Sequence, residues 1–202
     1  MKQNKKTRVI VISREHGSGG SEIGKKLAAR LNIPYYDKAF VDKAVEDSGL
    51  STDFMQEEEQ KFISSLLFSL ATGGYHHYGD KSMADQVFIA ESDAIREVAR
   101  QGDCVIVGRC ADYILRGECE VFSVFVHAPL NYRVKRIARA DGGDSRRVEQ
   151  AVREKDRARA RHYEYYTDCV WGDRNNYHLS INSERFGTDG AVDLILKALE
   201  LA

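Results

Sequence analysis

Seven consecutive residues, His16, Gly17, Ser18, Gly19, Gly20, Ser21 and Glu22, have the make-up of an anion-binding loop. Glycines at 17, 19 and 20 let the main chain reach positive φ and bring its N–H groups close to a ligand. A helical pattern begins at once behind them, and a helix N-terminus favours negative charge at the same spot. Phosphate binding is the chemistry this suits. A strand-to-helix turn that served structure alone would not need three glycines in four residues, each costing backbone entropy. The dinucleotide fingerprint G-x-G-x-x-G fits Gly17 and Gly19 but ends on Glu22, whose carboxylate would face the pyrophosphate.

If a phosphoryl group is transferred here, positive charge must surround a spread-out transition state. Backbone donors of Gly17–Ser21 suit a β-phosphate, and the Ser21 hydroxyl suits Mg²⁺. The lysine that P-loop enzymes carry after the last loop glycine is absent. One lost transition-state donor costs roughly 10²–10³ in rate, so another cation must take over. Arg14, at the mouth of the loop, is one candidate. Arg153, Arg157 and Arg161 recur at i, i+4 and i+8, placing three guanidinium groups on one helix face. Arg133 and Arg136 stand at i, i+3 on the helix before it. Guanidinium forks match phosphate oxygens, and Gly142-Gly143 forms a hinge that would swing them over a nucleotide. The plainer reading is a solvated face on which Glu149 pairs with Arg153.

Further candidates lie at strand ends. Arg109 closes an apolar strand at its carboxyl end, where packing gives little reason for a charge, and suits an acceptor phosphate; Asp112 follows it. Asp37 either orients an acceptor or caps the helix that begins at Lys38. His76 and His77 have no Cys or carboxylate at metal spacing. Trp171, Tyr163, Tyr165 and Tyr166 cluster beyond the charged helix, for base stacking or for the core.

The elements that must position these groups alternate. Arg8–Ser13, Cys104–Gly108 and Val121–Val126 are nearly continuous apolar runs, as in strands buried on both faces of a parallel sheet. Ile33–Asp37 and Tyr177–Asn182 are shorter. Helical patterns follow Ser21, open at Ser82 with Asp85 three residues on as in a capping box, and span Leu130–Ala140, Ser145–Tyr166 and Thr188–Leu201. This alternation predicts an α/β fold with a parallel sheet and a ligand at the carboxyl ends of its strands. Ser51–Asp80 stands outside the pattern as an apolar insert. With 30 basic and 31 acidic residues the chain carries a net charge of −1, which argues against a general nucleic-acid or membrane surface. Four cysteines without a CxxC pair, no signal peptide and no long apolar run lead to the expectation of a cytoplasmic protein with reduced thiols.

The string SREHGSGGSEIGKKLAARL followed by PYYD resembles the cytidylate kinase-like family, a branch of the P-loop nucleoside monophosphate kinases. VIVGRCADYIL at 105–115, VFVHAPLNYRVKRI at 124–137, EKDRAR at 154–159 and YHLSINSERFG at 177–187 extend the resemblance over nearly the whole chain. It implies a three-layer α/β/α domain of the P-loop NTP hydrolase type, with a five-stranded parallel sheet and an arginine-rich lid at about 133–166. It also implies transfer of the ATP γ-phosphate to CMP or dCMP with Mg²⁺. On that reading ATP lies on His16–Glu22, and Asp37, Arg109, Asp112 and Arg133 bind the substrate. Arg153, Arg157, Arg161 and Arg14, the candidates from the residue pattern, would act in the transfer, and Asp156 resembles the lid aspartate of the family. The better-known cytidylate kinases carry lysine at the position of Gly20, glycine at Arg14 and an acidic residue at Cys110. These departures leave two alternatives, a non-catalytic nucleotide-binding regulator and a kinase of another small acceptor. The partners expected are small nucleotides, with self-association through the apolar insert.

Overall fold

The computed structural model describes residues 7–40, 82–141 and 144–202. The insert at Ser51–Asp80 and the Gly142-Gly143 hinge lie outside the described residues. Strand β1 (Arg8–Arg14) leads through the glycine loop into α1 (Gly20–Leu31) and the two-residue β2 (Tyr35–Tyr36). Helix α2 (Met83–Gln101) precedes β3 (Cys104–Val107), the single turn α3 (Ala111–Ile114) and β4 (Glu120–His127). Helices α4 (Leu130–Asp141) and α5 (Ser145–Thr167) follow, then β5 (Leu179–Asn182) and α6 (Ser183–Leu201).

The five strands are all parallel, in the order β2-β3-β1-β4-β5. Successive residues of a strand face opposite sides, so the central strand serves two cores. Ile10 and Ile12 pack with Ile23 and Leu27 of α1 and with Ile195 of α6. Val9 and Val11 pack on the other side with Ile95 of α2, Ile114 and Tyr163. That double burial is why β1 and β3 read as unbroken apolar runs. A smaller cluster of Val134, Val148 and Val152 joins α4 to α5.

The elements match the sequence reading closely, with differences at their ends. Ser82 caps α2, its Oγ accepting from Asp85 N at 3.1 Å. The strand expected at Ile33–Asp37 shrinks to two residues at the sheet edge. The last helix starts at Ser183 rather than Thr188, because a first turn capped by Asn182 is joined to the rest through a kink at Gly187, φ 67°. No helix among the described residues is long and apolar enough to cross a membrane. No disulfide joins the four cysteines, and Cys104 and Cys110 are buried.

Candidate functional site

The glycine loop leaves the carboxyl end of the central strand and enters α1 through Gly19, whose φ of 86° an L-residue would resist. The first N–H groups of α1 have no intrahelical acceptor and face the loop. The rest of the loop is anchored from three sides. Ser18 is buried, its hydroxyl donating to Glu15 O at 2.8 Å, while Ser183 Oγ donates to Ser18 O at 2.6 Å. Arg133 Nη1 donates to His16 O at 3.0 Å and to Asp156 Oδ2 at 2.5 Å, and Asp156 Oδ1 accepts from His16 N at 2.7 Å. Arg133 also meets Glu15 Oε2 at 3.2 Å. These bonds strap α5 onto the loop.

Arg14 has an unusual path. A Cβ built on Gly20 would stand 2.5 Å from Arg14 Cβ and 2.9 Å from its Cγ, and one built on Gly108 would collide with Arg14 Nη1. The stem of Arg14 therefore lies over Gly20 and its head over Gly108, and at position 20 a side chain would meet the first two carbons of that stem. Relatives that carry lysine at the place of Gly20 cannot share this arrangement, since the two side chains would claim one space.

Beside the Arg14 head a cavity of about 330 Å³ opens at the carboxyl ends of β1 and β3. Its floor is Ser13, Arg14, Val107, Gly108, Arg109 and Cys110; α5 roofs it with Lys155, Ala158, Arg159, Arg161, His162 and Tyr163, and His16, Lys38 and Trp171 close the sides. Arg159 Nη1 donates to Arg14 O at 2.9 Å. Burial, then the charges of Arg159 and Arg109, lower the Arg14 pKa to about 9, which still leaves the guanidinium charged at neutral pH. Its Nε is enclosed with no hydrogen-bond partner among the described residues. Burial and then Lys155 and Arg159 push His16 down to about 4. Burial does the same to His162, followed by Arg109. A wall that crowds cations together and keeps both imidazoles neutral would suit an anion, whose arrival would relieve the repulsion.

Of the residues singled out in the sequence, Arg14, His16, Arg109, Arg161, Tyr163 and Trp171 meet on this wall. Others do not. Arg153 is exposed and pairs with Glu149 at 2.9 Å, and Arg157 is exposed on the same outer face. Arg133 is buried in the strap just described. Glu22 turns away from the loop, accepting from Thr188 at 3.0 Å and pairing with Arg136 at 2.5 Å and Lys26 at 3.0 Å. Those hydrogen bonds, led by Arg136, bring its pKa to about 2. Asp112 is buried and accepts from Tyr163 OH at 2.7 Å, so it braces a residue of the cavity wall from behind. Asp37 accepts from Ala39 N at 3.1 Å, the geometry of a helix cap. Ser21 is exposed in the first turn of α1. No group of three His, Cys, Asp or Glu that could hold a metal occurs among the described residues.

Lys38, Lys155, Arg159, His162 and Glu91 are the additions. The α5 residues 155, 159 and 162 stand at i, i+4 and i+7, so their helical spacing is legible. The all-arginine stripe 153, 157, 161 is equally legible, and charge periodicity alone cannot say which face turns inward. Glu91 gives no sequence signal; its Oε1 lies 2.9 Å from Arg109 Nη1.

The sequence profile of the cytidylate kinase-like family matches residues 9–185. A cytidylate kinase of Haloarcula marismortui is 26% identical over 196 residues, covering 95% of this chain and 89% of that protein. A cytidylate kinase of Aeropyrum pernix is 26% identical over 191 residues, covering 93% and 96%. Among solved structures, an uncharacterized protein from Eubacterium ventriosum has a TM-score of 0.74 at 26% identity, covering 95% of this chain and 98% of that one. A shikimate kinase from Bacteroides thetaiotaomicron has a TM-score of 0.52 at 17% identity, covering 96% and 99%, a likeness of fold alone. With a match from the first strand to the start of the last helix, over a five-stranded parallel sheet, this chain belongs to the cytidylate kinase-like family.

Proposed function

We propose that the protein transfers the γ-phosphoryl group of ATP to a small phosphate-bearing acceptor, with CMP or dCMP the first candidates. The observation that carries this reading is the Arg14 side chain crossing Gly20 to reach the cationic cavity. The loop has lost the ammonium of its relatives, and a guanidinium from the neighbouring strand end replaces it. In this account the triphosphate lies on the amides of Gly17–Ser21. Arg14 meets the anionic oxygens where donor and acceptor approach, and Arg109, Arg159 and Arg161 surround the acceptor phosphate. Such charge acts by stabilising the transition state in a water-poor site. A phosphate acceptor is already ionised at neutral pH, so no general base is required.

Mg²⁺ would neutralise charge on the phosphate oxygens. An exposed serine with no carboxylate cluster among the described residues suits a metal that arrives with its phosphates and keeps several waters. Ser21 is the residue to hold it. Relatives with the cytidylate kinase name support CMP as acceptor. Cys110, in place of the acidic residue of the better-known cytidylate kinases, supports a broader choice of base. An ADP-release assay across CMP, dCMP, UMP and AMP tests the reading. Turnover with at least one of them is expected. ATP binding without turnover on any acceptor would favour a regulatory protein instead.

A further inference from the structure

Burying a carboxylate is unfavourable unless a cation meets it. Glu91 on α2 is 1% exposed, and nothing in the proposed transfer uses it directly. It stands behind the cavity wall, within ion-pair distance of Arg109. That arginine sits in an uncommon stretch of backbone: Gly108, Arg109 and Cys110 have φ of 80°, 59° and 55° in succession. Only the glycine adopts this region freely. Two side-chain-bearing residues are held against their preference at the end of β3, and such strain persists only where the surroundings over-determine it. Cys110, 4% exposed, is gripped by the core cluster that also holds Ile95 of α2. Glu91 grips the same turn through the Arg109 head.

The turn brings Arg109 onto the cavity wall close to Arg14, whose charge repels it. Left to itself, a guanidinium beside two others would swing toward solvent. We infer that Glu91 is a positioning residue: its carboxylate pins the Arg109 guanidinium against that repulsion and so presents it to the anion of the acceptor. A guanidinium has five N–H donors in a rigid fork, enough to serve a carboxylate and a phosphate together. That the anion belongs to the acceptor rests on the phosphotransferase reading; the pinning of Arg109 does not.

Inorganic phosphate is the probe, titrated by thermal stabilisation into the parent, E91Q, R109A and the E91Q/R109A double variant. CMP and ATP kinetics are run on the same proteins. E91Q is expected to raise the phosphate Kd and the KM for CMP at least tenfold while the KM for ATP stays within twofold. E91D, which keeps the charge, stays within threefold of the parent on both. In the R109A background E91Q adds nothing further to phosphate binding, although a residue serving stability alone would lower Tm in either background. A phosphate Kd within twofold of the parent in E91Q would overturn the inference, as would an equal loss in the R109A background or a KM for ATP that moves with that for CMP. Should E91Q fail to fold, E91M takes its place: an apolar side chain of similar size removes the charge that holds Arg109, so the phosphate Kd rises at least tenfold, and an unchanged Kd overturns the inference. A parent that turns over no nucleotide defeats the kinase reading, while the phosphate titration still settles the role of Glu91.

Discussion

Lysine placed at position 20 should damage this protein, although lysine is what its better-known relatives carry there. A Cβ at Gly20 would lie 2.5 Å and 2.9 Å from the first two carbons of the Arg14 side chain, closer than real Cβ atoms approach. Those carbons belong to the stem, so relief requires moving the backbone or expelling the side chain. Overpacking of this kind costs typically about 1–3 kcal/mol, and a chain of this size loses roughly 2–4 °C in Tm per kcal/mol. On the proposed role of Arg14, expelling it would also remove a transition-state cation, for a further loss of about 10²–10³ in kcat. R14G alone should show the same rate loss without the clash. The R14G/G20K double variant removes the clash and supplies an ammonium from α1, so its kcat should exceed that of either single variant at least tenfold. Thermal melts and a coupled ADP-release assay at saturating ATP·Mg²⁺ and acceptor measure both quantities. If G20K keeps the Tm and turnover of the parent, or if the double variant is no faster than the slower single one, the exchange of Arg14 for the loop lysine is refuted.

Two further outcomes follow from the same geometry. Ser183→Ala removes the donor that ties the start of α6 to Ser18 O in the glycine loop; a loss of about 1 kcal/mol and, on the proposed function, a several-fold rise in the KM for ATP are expected, and unchanged kinetics would contradict the anchoring role. His16 and His162 hold pKa values of about 4 in the fold against an ordinary value of 6.5. The unfolded chain therefore takes up their protons first, so stability is unaffected above pH 6.5 and falls as pH drops from 6.5 toward 4. Urea midpoints across that window should show the fall, His162→Gln should flatten part of it, and a fall confined to more acidic pH would contradict the assignment.

Much of the fold is legible in the amino-acid pattern alone. β1 and β3 are buried on both faces by α1, α2 and α6, so they stand out as apolar runs, and the glycines that break them can only be turns. Ser82 and Asp85 mark the start of α2 through a local cap that needs no tertiary contact. What the pattern hides depends on contacts distant in sequence. Of the 153, 157, 161 stripe only Arg161 reaches the cavity, beside 155, 159 and 162, and the bonds of Asp156 to His16 N and of Arg159 to Arg14 O set that orientation of the helix. Arg133 has the side chain of a phosphate ligand, but Glu15 and Asp156 engage it first. Glu91 lies on an ordinary amphipathic helix, and only its burial against Arg109 distinguishes it. Arg14 and Gly20 each show in the sequence as a departure from relatives, but the reason they belong together is steric and appears only in three dimensions.

Phosphorus NMR of a single reaction containing the parent protein, ATP·Mg²⁺ and CMP tests the account most directly, with R14A run alongside at equal concentration. The resonances of ADP and a second nucleoside diphosphate should grow together in the parent, and about 10²-fold more slowly in a folded R14A. ATP that persists unchanged, ATP that yields only ADP and inorganic phosphate, or an R14A rate equal to that of the parent would contradict it.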